Sequence, residues 1–153
     1  MKVKVLSGPE VRDLLPMPAC IEAMADALAR LAKGEVHQPL RLVFRPPDAA
    51  GLMAFMPAYA SGPGAAFGVK AIGIFPGNAT RGMDTHQGMV CLFDGETGEL
   101  MALMNGAAVT AIRTAAVSGV ATRALAREDA GDLAILGSGT QARTHLRAVA
   151  SVR

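Results

Sequence analysis

The chain has 153 residues, long enough for one ordinary domain with a core of its own. Hydrophobic residues make up 51% and the mean hydropathy is +0.32, which excludes a disordered chain. Fifteen basic against thirteen acidic residues leave +2 with no basic block, and aromatics are only 4%, so nucleic acid is not an expected partner.

Val3–Leu6 reads as a short strand closed by Ser7-Gly8-Pro9. Apolar residues at Ile21, Met24, Ala25, Leu28, Leu31 and Ala32 mark one face of a helix. Pro18 suits its first turn and Gly34 its C-terminal cap. Leu40–Phe44 and Leu52–Met56 are predicted strands, separated by Arg45-Pro46-Pro47-Asp48 and a glycine. Gly68–Phe75 is a further strand, ended by Pro76-Gly77-Asn78 and followed by the polar loop Thr80–Thr85. Gly88–Phe93 and Leu100–Met104 flank a hairpin turn at Asp94–Gly98. From about Ala107 to Ala126 the small-residue-rich sequence predicts a helix. Glu128–Asp132 is a polar boundary, and Leu133–Leu136 predicts one more strand. This order predicts a mixed α+β domain over residues 1–127 and the first strand–turn–helix of an α/β domain over 128–153.

Cys20 falls in a helical pattern and Cys91 inside an apolar strand, which reads as two buried free thiols in a reducing compartment. The start Met1–Gly8 lacks the apolar core of a signal peptide, and no apolar stretch reaches membrane-spanning length. The expectation is a cytoplasmic protein. His37, His86 and His145 share no metal-ligand spacing, so no metal site is expected. His86 reads as a loop histidine, with an acid/base role open because it adjoins the polar loop. Met53 and Met56 read as core residues.

The most specific local signal is Gly137-Ser138-Gly139-Thr140-Gln141-Ala142, after a short apolar run and before a helical pattern. The first glycine of such a turn permits a tight bend, the second allows close backbone approach to a pyrophosphate, and the small third residue lets helix pack on strand. The helix N-terminus then offers unpaired N–H groups to the phosphates. The acidic residue that would hold the adenosine ribose falls beyond Arg153, so NAD and NADP remain equivalent expectations.

Arg41, Lys70 and Arg113 are basic residues in places where the pattern predicts burial. A buried cation needs an anion or a wet cavity. Each taken alone also reads as a snorkelling side chain or half of an internal ion pair. Together, upstream of a dinucleotide turn, they point to a carboxylate-bearing ligand.

Several stretches resemble the ornithine cyclodeaminase/mu-crystallin family: Gln38-Pro39-Leu40-Arg41, Met56-Pro57-Ala58-Tyr59, Gly68-Val69-Lys70, Thr85-His86-Gln87-Gly88, Thr97-Gly98-Glu99-Leu100, Thr110–Ser118 and Gly137–Ala142. The resemblance runs in one order over nearly the whole chain and corresponds to the N-terminal half of a member. It implies a substrate-binding and dimerisation domain joined to a Rossmann domain, a homodimer, and NAD or NADP as cofactor. By position it implies that Arg41 and Lys70 bind a substrate carboxylate and that Arg113 touches both carboxylate and cofactor. Thr85 would lie near the nicotinamide, while Gly137, Gly139, Thr140, Gln141 and Ala142 would form the diphosphate turn. The sequence departs from the family at Asp84, where proline is expected. The family's proton-transferring aspartate belongs to the C-terminal half, beyond residue 153.

The implied activity is an NAD(P)-dependent oxidation or reduction at the carbon–nitrogen bond of a small amino or imino acid. Ornithine conversion to proline with ammonia loss and ketimine or pyrroline-carboxylate reduction are its two forms. The alternatives are a nucleotide- and carboxylate-binding protein without turnover, or an inactive dimerisation module. For these 153 residues alone, weak dinucleotide binding, no turnover and a poorly ordered segment after about Gly131 are expected.

Overall fold

The computed structural model of the chain describes residues 2–153. Its elements in chain order are β1 (Lys4–Leu6), α1 (Gly8–Leu14), α2 (Met17–Ala32), β2 (Val36–His37), β3 (Leu42–Phe44), β4 (Leu52–Ala60) and β5 (Ala66–Ile74). A short 3-10 helix (Pro76–Arg81) follows, then β6 (His86–Asp94), β7 (Leu100–Asn105), α3 (Gly106–Leu125) and α4 (Thr140–Ala150). The strands form one mixed sheet in the order β1-β7-β6-β5-β4-β2, with β3 also pairing with β4. Only β1 runs parallel to its neighbour; the other pairs are antiparallel. A mixed sheet with helices was the expected α+β class.

Sequence chemistry explains most boundaries. Ser7 caps α1 in a capping box with Glu10, whose carboxyl is held below its usual range chiefly by the Ser7 side chain. Pro16 and Pro18 open α2, which ends at Lys33 with Gly34 just beyond. In the β6–β7 hairpin, Asp94 Oδ1 accepts hydrogen bonds from the backbone N–H groups of Glu96 (3.1 Å) and Thr97 (2.8 Å) and from Thr97 Oγ1 (2.8 Å). Asn105 caps α3 by accepting from the Ala108 N–H at 2.9 Å.

The core lies where α1, α2 and α3 meet. Val11, Cys20, Ile21, Ala108, Ile112 and Ala116 are buried there together, with Leu6, Met24 and Met104 packed around them. Helix α3 also approaches the sheet closely at its first turn. A Cβ on Gly106 would stand 2.8 Å from the Gly88 carbonyl carbon, so only glycine lets α3 begin directly on β6.

The opposite sheet face has no such cover. Cross-strand alternation puts Leu42, Phe44, Phe67 and Met89 on it, and they remain 46–64% exposed. Tyr59 and Phe67 stack there with ring centroids 4.5 Å apart.

The expected strand at Leu133–Leu136 does not form. No other segment among the described residues pairs with it, and a strand without a ladder partner leaves its backbone groups to solvent. Leu136 is fully exposed. Regular structure resumes at α4, which packs against α3 through the buried Ala148, so the segment after Gly131 is not irregular throughout. Helix α1 and the two-residue β2 were not expected, and β4 runs four residues beyond its expected end at Met56. Cys20 is buried as expected, whereas Cys91 is only half-buried on β6. No helix of the described residues is long and apolar enough to cross a membrane.

Candidate functional site

Two of the cavities beside α3 gather the candidate residues. The first, about 630 Å³, is lined by the inner faces of β4–β6, by Gln38–Arg41 and by Val109 and Arg113 of α3. The cross-strand register explains how the sheet builds it, because Met56, Lys70 and Val90 lie side by side. Arg41, Lys70 and Arg113 are its charged residues, and none forms an ion pair among the described residues. The three cations identified in the sequence therefore share one chamber without an internal anion.

Their burial is less complete than the pattern suggested. Arg41 is exposed, because it precedes the first paired residue of edge strand β3; Lys70 and Arg113 are half-buried. The electrostatics record their proximity. Burial, then Arg113 and Arg41, push the Lys70 ammonium down from 10.5 to about 8. Burial and then Arg41 likewise lower Arg113, while Cys20 beside it opposes the shift. Burial raises the Cys20 thiol, against the pull of Arg113. Met56, read from sequence as core, is part of this cavity wall.

The second cavity, about 370 Å³, lies between the start of β6, the first turns of α3 and the N-terminus of α4. Asp84, Thr85 and His86 form one wall, Ala107, Thr110 and Ala111 another, and Gly139, Thr140 and Gln141 the third. The polar loop and the glycine turn, more than fifty residues apart in sequence, thus meet. Gly137 adopts φ +109°, a conformation that favours glycine, and Gly139 caps α4 without a side chain. Gly137 and Ala142 line a separate outer groove with Ile135, Arg143 and Leu146, and Arg113 lines only the cation cavity.

A network around Asp84 fixes the loop. Asp84 Oδ1 accepts from the His86 N–H at 2.9 Å, and its carbonyl accepts from Asn78 Nδ2 (3.1 Å) and Gln87 Nε2 (2.9 Å). Thr85 Oγ1 and His86 Nδ1 are 3.1 Å apart. Across the cavity, Thr110 Oγ1 is buried and has no hydrogen-bond partner. An orphaned hydroxyl beside a helix N-terminus without a side-chain cap fits a polar, phosphate-bearing ligand. Sequence reading passed over Thr110, since a threonine within a helix carries no signal that its hydroxyl is unpaired.

The sequence profile of the ornithine cyclodeaminase/mu-crystallin family matches residues 1–153. The chain belongs to that family. It is 35% identical over 150 residues to a Delta(1)-pyrroline-2-carboxylate/Delta(1)-piperideine-2-carboxylate reductase of Azospirillum brasilense, covering 98% of the chain and 47% of that protein. Among solved structures it resembles the Thermococcus litoralis Delta(1)-pyrroline-2-carboxylate reductase in complex with NADH and L-proline. That match has a TM-score of 0.92 and 37% identity, over 98% of this chain and 46% of the other. An archaeal alanine dehydrogenase dimer with bound NAD matches at TM-score 0.92 and 30% identity, over 100% and 46% of the two chains. As a family member, the chain spans about half the length of the curated relatives it matches.

Proposed function

We propose that this chain carries the substrate-carboxylate chamber and the dinucleotide turn of an NAD(P)-dependent oxidoreductase acting at the carbon–nitrogen bond of a small cyclic imino acid or its amino-acid product. The observation that carries this reading is the juxtaposition of three unpaired cations with a glycine turn across one helix. Residues 1–127 would be the substrate-binding and dimerisation domain, and residues 128–153 the opening of the nucleotide domain. When bound, the nicotinamide supplies or accepts the hydride. The chain's own residues bind and orient. Arg41 and Arg113 offer planar forks to a carboxylate, and Lys70 adds a point charge. Neutralising three mutually repelling cations favours an anion there and raises the Lys70 pKa on binding. Thr85 would face the nicotinamide, and Gly137, Gly139, Thr140, Gln141 and Ala142 would form the diphosphate turn. Both forms of the reaction fit this reading, because pyrroline-carboxylate reductases and a lysine cyclodeaminase alike align over the whole chamber.

Calorimetric titration with NADH and a small cyclic carboxylate tests this reading. Arg41→Met should weaken carboxylate binding by about tenfold or more and leave NADH binding intact. Arg113→Met should likewise weaken carboxylate binding. Unchanged carboxylate affinity in both variants would overturn the proposal.

A homodimer belongs to the same reading. The apolar sheet face with Leu42, Phe44, Phe67 and Met89 is the surface a second copy would cover. Sedimentation at micromolar concentration should give twice the chain mass, and Phe67→Asp should halve it. A wild-type monomer would remove the dimer from the proposal.

A further inference from the structure

Asp84 is the carboxylate in the wall of the nucleotide-side cavity, and the fold uses only part of it. Oδ1 holds the turn into β6 through the His86 N–H. Oδ2 accepts no hydrogen bond from the protein, Asp84 enters no ion pair among the described residues, and the residue is exposed at the cavity mouth. A carboxylate accepts at both oxygens, so one acceptor remains available at this wall. It adjoins Thr85 and faces a cavity whose other walls are the glycine turn and the first turns of α3.

Under the proposed function, the diphosphate occupies the turn side of this cavity and the nicotinamide lies toward the cation chamber. The wall at Asp84 then meets what joins them, the nicotinamide riboside. That half of the cofactor presents hydrogen-bond donors: the ribose hydroxyls and the carboxamide NH₂. We propose that Asp84 Oδ2 accepts a hydrogen bond from the nicotinamide riboside. Its charge also bears on redox state. A fixed anion near the ring favours the cationic oxidised nicotinamide over the neutral reduced one, so Asp84 shifts the affinity ratio toward NAD⁺. Asp84 is thereby a cofactor-binding residue.

The test is fluorescence and calorimetric titration of the 153-residue chain and two variants with NAD⁺, NADH and ADP. Asp84→Asn retains an acceptor for the His86 N–H while replacing the free oxygen by an NH₂ donor. Asp84→Ala removes both functions. The expected result is that both variants lose about tenfold in NAD⁺ affinity, less in NADH affinity and nothing in ADP affinity. Repeating the NAD⁺ titration with the 3-acetylpyridine analogue, which lacks the carboxamide NH₂, separates the donors. A penalty that persists assigns the ribose, and one that vanishes assigns the carboxamide. If Asp84→Asn binds like wild type and only Asp84→Ala is impaired, the residue serves the turn alone and the inference is overturned. If wild type binds none of the nucleotides, the proposed function itself fails and this inference with it.

Discussion

The cation chamber and the cavity at the glycine turn, both beside α3, are built in different ways. The cation chamber is walled by the sheet and α3, and core residues such as Ile21 and Ile112 hold its helices in place. The nucleotide-side cavity borrows one wall from that body, but its third wall is a turn followed by a single helix. Below that turn, Leu133, Ile135 and Leu136 are exposed rather than packed. One cavity therefore stands on the packed core, while the other has a wall that rests on an exposed segment.

The largest expected effect probes this contrast through stability. Ile21 is 1% exposed and packs against α3, so Ile21→Ala should lower the unfolding free energy by about 3 kcal/mol. Leu136 is fully exposed, and Leu136→Ala should change it by less than about 0.5 kcal/mol. Urea unfolding measures both. Comparable losses would mean that residues 133–136 belong to the cooperative core, and the contrast would collapse.

A smaller effect separates the cavities by pH. Lys70 titrates at about 8 in the folded chain against 10.5 for a free lysine. Affinity for a small carboxylate without an amine, such as cyclopentanecarboxylate, should fall as pH rises through 8, by at most about tenfold per unit. Lys70→Met should flatten that dependence, whereas NADH affinity should show none of it. The sign for stability is opposite. Between pH 8 and 10.5 the unfolded chain holds a proton that the folded chain has released, so ligand-free wild type gains stability over that window. Carboxylate binding that is flat from pH 7 to 9 in wild type would remove Lys70 from the chamber's chemistry.

Much of this arrangement was legible in the sequence, for reasons that differ by residue. Strands β4 to β7 announced themselves because apolar runs were bounded by strong turn chemistry, as at Asp94–Gly98. Lys70 and Arg113 stood out because a charge inside an apolar pattern demands a physical account. Helix α1 was missed although its signature was present: Ser7-Gly8-Pro9-Glu10 is a capping box, and the glycine and proline were read as a turn instead. The opposite error occurred at Leu133–Leu136. Periodicity identifies a segment able to form a strand, but a ladder needs a second strand. Thr110 and Asp84 were illegible as parts of one cavity because only the fold brings α3 beside the polar loop.

Helix α3 presents Val109 and Arg113 to one cavity and Ala107, Thr110 and Ala111 to the other. It also starts on a glycine pressed against β6 and buries Ala115 and Ala116 completely, so it has little room to move one stripe without the other. Under the proposed function, occupancy of the two chambers would be a linked equilibrium. Whatever factor a carboxylate contributes to nucleotide affinity, the nucleotide must contribute equally to carboxylate affinity. An order of addition in such a protein would be a matter of rates, while the cooperativity between the ligands would be set by the rigidity of one helix.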